Sequence, residues 1–174
     1  MVEKDVDGLF GRVEGGVLAV EAEGAGFSCL SEYDEAMSQP VSLIRSADLA
    51  DTAEYAYAAT APVGARLIFL AGACPLNLDG TTAGVGDYAA QAAKAIENLL
   101  IALRAAGAEL DNVLSTRILV VSSSQSDLVE AWNVIREAFG DHDAPSTLMG
   151  VTALGYTDQL VEIEAVAAVI DQQQ

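Results

Sequence analysis

The sequence predicts an α+β domain, a sheet with two helices packed on one of its faces. Two stretches of helical period, 88–107 and 124–140, are interleaved with apolar runs of strand length in the order β-β-β-α-β-α-β-β. The last run, QLVEIEAVAAV from Gln159 to Val169, is apolar except for Glu162 and Glu164. Residues two apart on a strand share a face, so both carboxylates project to the same side. Val161, Ile163, Ala165 and Ala167 suit the helix side, which leaves Glu162, Glu164, Val166 and Ala168 on the open side. An open face that is half apolar and half acidic fits an oligomer interface with a cleft.

The elements follow in order. VSLIRS and EYAYAAT read as short strands ahead of the Pro62-Val63-Gly64 turn. RLIFLAGACP, Arg66 to Pro75, is an apolar strand ended by proline, and LNLDGTTAG is a loop. Asp87 caps a helix from Tyr88 to Gly107, with a stripe of Ala92, Ile96, Leu99, Leu100 and Leu103. NVLSTRILVV, Asn112 to Val121, is the next strand. SQSDLVEAWNVIREAFG is a second amphipathic helix, capped near Ser124 and closed at Gly140. STLMGVTAL and LVEIEAVAAV complete the set, joined through the Gly155-Tyr156 loop. Residues 1–40 differ in character: GRVEGGVLAVEAEGAG is glycine-rich and acidic, with a modest hairpin signal at Gly15-Gly16. The expected division is an accessory extension over 1–40 and a folded domain over 41–174.

The 174 residues suffice for one domain with a real core, and 52% of them are hydrophobic. The formal charge of −18, from 26 acids against 8 bases, opposes binding to a phosphate backbone, and Lys and Arg form no cluster. Nucleic acid is therefore excluded as an expected partner. No apolar run reaches the length of a membrane helix, and MVEKDVDGLF lacks the basic-then-apolar order of a signal peptide. Cys29 and Cys74 form no spaced metal motif, so a reduced, cytoplasmic setting is expected, with Cys74 as a small buried hydrophobe. His142 lies between Asp141 and Asp143, but adjacent residues rarely converge on one ion, and an exposed loop histidine is the plainer reading. No metal and no cofactor are expected; LDGTTAGVGD is not a phosphate-cradling loop.

LIFLAGACPLNLDG, AIENLLIALRAAGAELDNVL, STRILVV, AFGDHDAPSTLMGV and LVEIEAVAAV resemble, in order and spacing, the YjgF/Rid family of reactive intermediate deaminases, also labelled endoribonuclease L-PSP-like. The resemblance runs from about Leu43 to Ile170. It implies a chorismate-mutase-like fold, a homotrimer whose sheets line a central barrel, and small-molecule clefts between subunits. It also implies hydrolysis of enamines or imines derived from amino acids. By the same resemblance, the water-positioning glutamate is Glu162 and the cleft tyrosine is Tyr57. The serine of the family's S-G pair falls on Ala71, beside Gly72, with Ala73 and Cys74 continuing the cleft wall. The arginine that grips a substrate carboxylate falls on Pro145, next to Ser146, and a nearby cysteine falls on Thr147. An asparagine on the second helix falls on Trp132 or Asn133.

Proline offers no donor, whereas a guanidinium binds a carboxylate through two parallel hydrogen bonds. The expected substrate is thus an enamine, imine or related compound without the α-carboxylate, hydrolysed with water held by Glu162. Arg117, inside an apolar strand, is the ion-pair partner of Glu162 or Glu164, a relocated carboxylate binder, or simply surface-exposed. Trp132 is either core or an apolar cleft wall. The alternative to an enzyme is a non-catalytic trimer that binds a small molecule at a degenerate site. The ribonuclease label conflicts with the acidic surface.

Overall fold

The computed structural model describes residues 41–50 and 55–171. The extension over 1–40, with its expected hairpin, lies outside the described residues. Six strands and two helices are present among those described: β1 (Ser42–Ile44), β2 (Ala58–Thr60), β3 (Arg66–Phe69), α1 (Tyr88–Ala105), β4 (Val113–Val121), α2 (Gln125–Phe139), β5 (Ser146–Val151) and β6 (Val161–Val169). β1 and β2 form a small antiparallel pair. The main sheet has the order β3-β6-β4-β5; β6 is antiparallel to both neighbours, and β4 and β5 run parallel. A parallel pair needs a crossover, and α2 supplies it.

Both helices lie on one face. Asp87 accepts a hydrogen bond from the Ala90 N–H at 2.8 Å, closing the first turn of α1 as its sequence position predicts. Gly107, at φ 78°, ends that helix in the left-handed region. Ala92, Ile96, Leu99 and Leu103 are buried as expected, and Leu100 is half-buried at the margin of the same core. Opposite them lie Val161, Ile163, Ala165 and Ala167 of β6 and Ile118 and Val120 of β4. The β6 alternation thus places its four inward positions where the sequence puts them.

The strands are shorter than their apolar runs. β3 stops at Phe69 instead of continuing to Pro75, because the chain bulges. Phe69 opposes Val166, whereas Ala73 opposes Ile163 in an isolated bridge, so four steps on one side answer three on the other. The Leu70 N–H reaches Ala165 O at 3.1 Å and the Ala73 N–H reaches Ile163 O at 2.8 Å. The extra residue lies between these two bonds.

The β1–β2 pair is tied to the loop before β5. The Ala56 N–H donates to Asp143 O at 2.8 Å, and Arg45 forms an ion pair with the Asp143 carboxylate. His142 is half-buried there, its Nε2 2.8 Å from Val113 O, rather than standing free on an exposed loop. No described helix is long and apolar enough to cross a membrane.

Candidate functional site

The bulge in the β3 run determines what Glu162 meets. With unbroken alternation, Cys74 would share the inward face of Ile68 and Leu70, which agrees with its expected place as a small buried hydrophobe. One extra residue reverses the parity. Ala73 is buried against Ile163, and Cys74 turns to the open side, half-buried, with Sγ 3.4 Å from Glu162 Oε2 and 3.6 Å from Gly72 O. Burial chiefly, and then the charge and hydrogen bond of Glu162, push the Cys74 thiol up to about 11, against a smaller downward pull from Gln159. At neutral pH Cys74 is therefore a thiol that donates toward Glu162, not a thiolate nucleophile.

Gly72 leaves room for the carboxylate. A Cβ at this position would overlap Glu162 Oε1, with Glu162 Cδ 2.6 Å away. Glu162 Oε2 also accepts a hydrogen bond from Gln159 Nε2 at 3.0 Å. Among the described residues Oε1 has no hydrogen-bond partner, and neither do the N–H groups of Ala71 and Gly72. A carboxylate oxygen with free capacity thus lies against Gly72, in a bulge whose Ala71 and Gly72 N–H groups also have free capacity. Such a pair can take a proton from water at one side and receive negative charge at the other.

Glu164, two residues on, has different company. It forms an ion pair with Arg117, directly across the β4–β6 ladder. Of the two partners open to Arg117 in the sequence, the structure selects Glu164. Glu164 Oε2 is buried and, among the described residues, accepts no well-formed hydrogen bond, so the Arg117 charge is what offsets its desolvation. Thr147 stands beside Arg117 in the β4–β5 register and is exposed. A recess of about 370 Å³ opens over this row, lined by Phe69, Ser115, Arg117, Glu164 and Val166 among others. A larger recess of about 650 Å³, around Ser122–Gln125 and Gly150–Thr152, shares no residue with the Glu162 cluster.

The other candidates lie elsewhere in the subunit. Ser146 faces the helix side, its hydroxyl 2.8 Å from Thr116 Oγ1 and from Ala144 O. Trp132 packs on the core from α2, edge-on to Tyr55 at a ring separation of 5.9 Å. Pro145 is half-buried and accepts the Thr116 N–H at 3.0 Å. Tyr57 is exposed, its hydroxyl bonded to Ala50 O. Within the chain, then, Gly72, Ala73, Cys74 and Glu162 come together with Ala71 adjacent, Arg117 and Thr147 form the next row, and Tyr57, Trp132, Pro145 and Ser146 do not join them. Sequence reasoning missed Gln159. The available signal was a glutamine three residues before Glu162 at the start of an otherwise apolar run. No group of three His, Cys, Asp or Glu side chains among the described residues is placed to hold a metal ion.

A family model described as endoribonuclease L-PSP matches residues 47–169. A RutC family protein from Pyrococcus abyssi is 31% identical over 102 residues, which is 59% of this chain and 78% of that protein. Among solved structures, a Rid-family protein of unknown function from Yersinia pestis matches with a TM-score of 0.68 and 27% identity, covering 75% of this chain and 99% of its own. A member of the YjgF/YER057c/UK114 family from Mycobacterium tuberculosis matches at 33% identity with a TM-score of 0.51, covering 74% and 99%.

Proposed function

Because the chain belongs to the endoribonuclease L-PSP family, the YjgF/Rid group, we propose that it hydrolyses a small enamine, imine or related compound lacking an α-carboxylate. The observation that carries this reading is the unpartnered Glu162 Oε1 lying against the Ala71-Gly72 bulge. Water held at Oε1 gives up a proton to the carboxylate as its oxygen bonds to the imine carbon. The C=N electron pair moves to nitrogen, which takes that proton back from Glu162 to give the carbinolamine. The carbinolamine hydroxyl then gives its proton to Glu162 as the C=O forms and the C–N bond breaks, and Glu162 passes it to the departing nitrogen, releasing ammonia. The N–H groups of Ala71 and Gly72 favour negative charge developing on the substrate next to them.

The substrate class follows from Pro145. A proline stands where the family resemblance places a carboxylate-binding arginine, and its ring has no donor. Arg117, with a side chain 63% exposed on the same open face, is already paired with Glu164. An α-carboxylate would have to compete with that partner.

The trimer belongs to the same proposal. Phe69 is 76% and Leu67 49% exposed, and with Val166 they make an apolar stretch of the open face. Such a face is covered when three sheets close on one another. The sites then lie between subunits, and the exposed Tyr57 is the side chain that a neighbour would bring toward Glu162.

The test is ammonia release from freshly generated imines with and without an α-carboxylate, using wild type and Glu162→Ala. The expected result is turnover of the carboxylate-free imines, lost in the variant. Preference for the carboxylate-bearing imines would reassign Arg117 as substrate binder. Silence across the panel with the assembly intact would favour a non-catalytic binding protein.

A further inference from the structure

The geometry points to Gln159 as the positioning residue that sorts the two oxygens of Glu162, holding Oε2 from behind and leaving Oε1 as the oxygen that meets water. This rests on the reading of Glu162 given above and deepens it. Gln159 is 4% exposed, a buried amide at the mouth of β6. Its Oε1 accepts the Tyr156 N–H at 3.1 Å, which fixes which end of the amide is which. The Nε2 end must then face β6. There its two N–H bonds go to Val161 O at 3.2 Å and Glu162 Oε2 at 3.0 Å. Every polar atom of the side chain is used, and the one directed at Glu162 can only donate. The Cys74 thiol approaches the same Oε2. Two neutral donors therefore converge on one oxygen and none on the other.

The glutamine is itself held from outside the strand. It sits in a turn whose Asp158 adopts φ 58°, and its own N–H reaches Tyr156 O at 3.3 Å. Gln91 of α1, fully buried, bonds the backbone on both sides of it: Nε2 donates to Asp158 O at 2.8 Å, and Oε1 accepts the Leu160 N–H at 2.7 Å. Thr82 Oγ1 adds a bond to Thr157 O at 2.7 Å. The chain of contacts runs from α1 through Gln91 to the turn, then through Gln159 to Glu162. A rigid helix thereby sets the aim of a carboxylate that would otherwise have free rotamers. Neutral partners suit this role better than a cation, which would occupy the carboxylate as Arg117 occupies Glu164.

Two readouts test it, both in a Cys29→Ser background. The first does not depend on any substrate: the rate at which iodoacetamide alkylates Cys74 at pH 9. If Gln159 holds Glu162 over the thiol, Gln159→Leu releases the carboxylate, whose charge and hydrogen bond outweigh the smaller downward pull that Gln159 itself exerts, and Cys74 reacts faster, by roughly 10-fold for each unit its pKa falls, as in Glu162→Gln. The isosteric Gln159→Glu adds a negative charge and slows the reaction. An unchanged or slower rate in Gln159→Leu overturns the assignment, and so does a faster rate in both variants, since that marks general loosening. The second readout is ammonia release from a carboxylate-free imine. Gln159→Leu is expected to lower kcat about 10- to 100-fold with KM unchanged, the loss that follows from misplacing a reacting group by about an ångström. Gln159→Glu should be inactive at pH 8 and regain turnover toward pH 5, where the introduced acid is protonated and donates again. A KM effect without a kcat effect, or no pH recovery, overturns it. If wild type releases no ammonia, the hydrolytic reading of Glu162 falls, and the alkylation rates alone decide whether Gln159 sets the carboxylate.

Discussion

Glu162 and Glu164 lie on one strand, on one face, two residues apart, and their surroundings make them different groups. Glu162 is met by the amide of Gln159 and the thiol of Cys74, both neutral, and among the described residues keeps one oxygen unpartnered. Glu164 is met by the guanidinium of Arg117, and its Oε2 is closed off from water. A carboxylate neutralised by a cation is a structural element. A carboxylate held by neutral donors, with free acceptor capacity beside a backbone bulge, retains the capacity to act on a substrate. The difference arises from the neighbouring strands: β4 offers a cation to one acid, while the β3 run bulges against the other and turns a thiol toward it.

The largest effect comes from removing what both acids share. Ile163, between them, is buried in the same core as Leu99 of α1. Leu99→Ala is expected to cost about 2–5 kcal/mol in urea unfolding, because the cavity adds to the lost burial. It should weaken both regions alike. A smaller and one-sided effect is expected of Gly72→Ala. The new methyl collides with the Glu162 side chain rather than with backbone, so the carboxylate must move while the fold survives. Ammonia release should fall by roughly 100-fold with a melting curve close to wild type. A large loss of stability would show that the close approach of Gly72 serves packing alone.

The Glu164 region is probed by Arg117→Ala. The arginine side chain is 63% exposed, so solvent screens the pair, and the expected cost is below about 1 kcal/mol. Added salt should reduce the wild-type stability in the same direction and leave the Glu162 cluster, which contains no ion pair, unaffected. The smallest effect lies at the rim, where Arg66 holds Asp171 through hydrogen bonds of 3.0–3.2 Å and depresses its carboxyl below the usual range, hydrogen bonding outweighing the direct charge attraction. The folded state then binds the Asp171 proton less tightly than the unfolded chain. Its contribution is present above about pH 4 and disappears as the pH falls through the depressed value. Asp171→Asn should lower stability slightly at neutral pH and remove this group's share of the acid limb, so that the two stability curves converge toward low pH.

Much of this architecture is legible in the sequence because it depends on local period. The stripe of α1, the Asp87 cap and the alternation of β6 need no knowledge of distant residues. The open side of β6 follows from them, and so does the placing of two acids there. What is not legible depends on register between segments far apart. Arg66 to Pro75 reads as one apolar strand, and only pairing with β6 reveals the extra residue that brings Cys74 out beside Glu162. The choice of Glu164 over Glu162 as the partner of Arg117 is likewise a matter of cross-strand pairing. Gln159 escapes a sequence reading because a glutamine at a strand end is unremarkable until its three partners are known. Gln91 is harder still, since a polar residue beside the stripe of α1 looks solvent-facing until the turn after β5 folds over it.

The most direct test sets the two acids against each other. Ammonia release from a carboxylate-free imine would be measured for wild type, Glu162→Gln and Glu164→Gln, each checked for an intact fold. Glu162→Gln is expected to abolish turnover, while Glu164→Gln retains most of it. Equal losses in both variants, or a loss confined to Glu164→Gln, would contradict the assignment of the working carboxylate to Glu162.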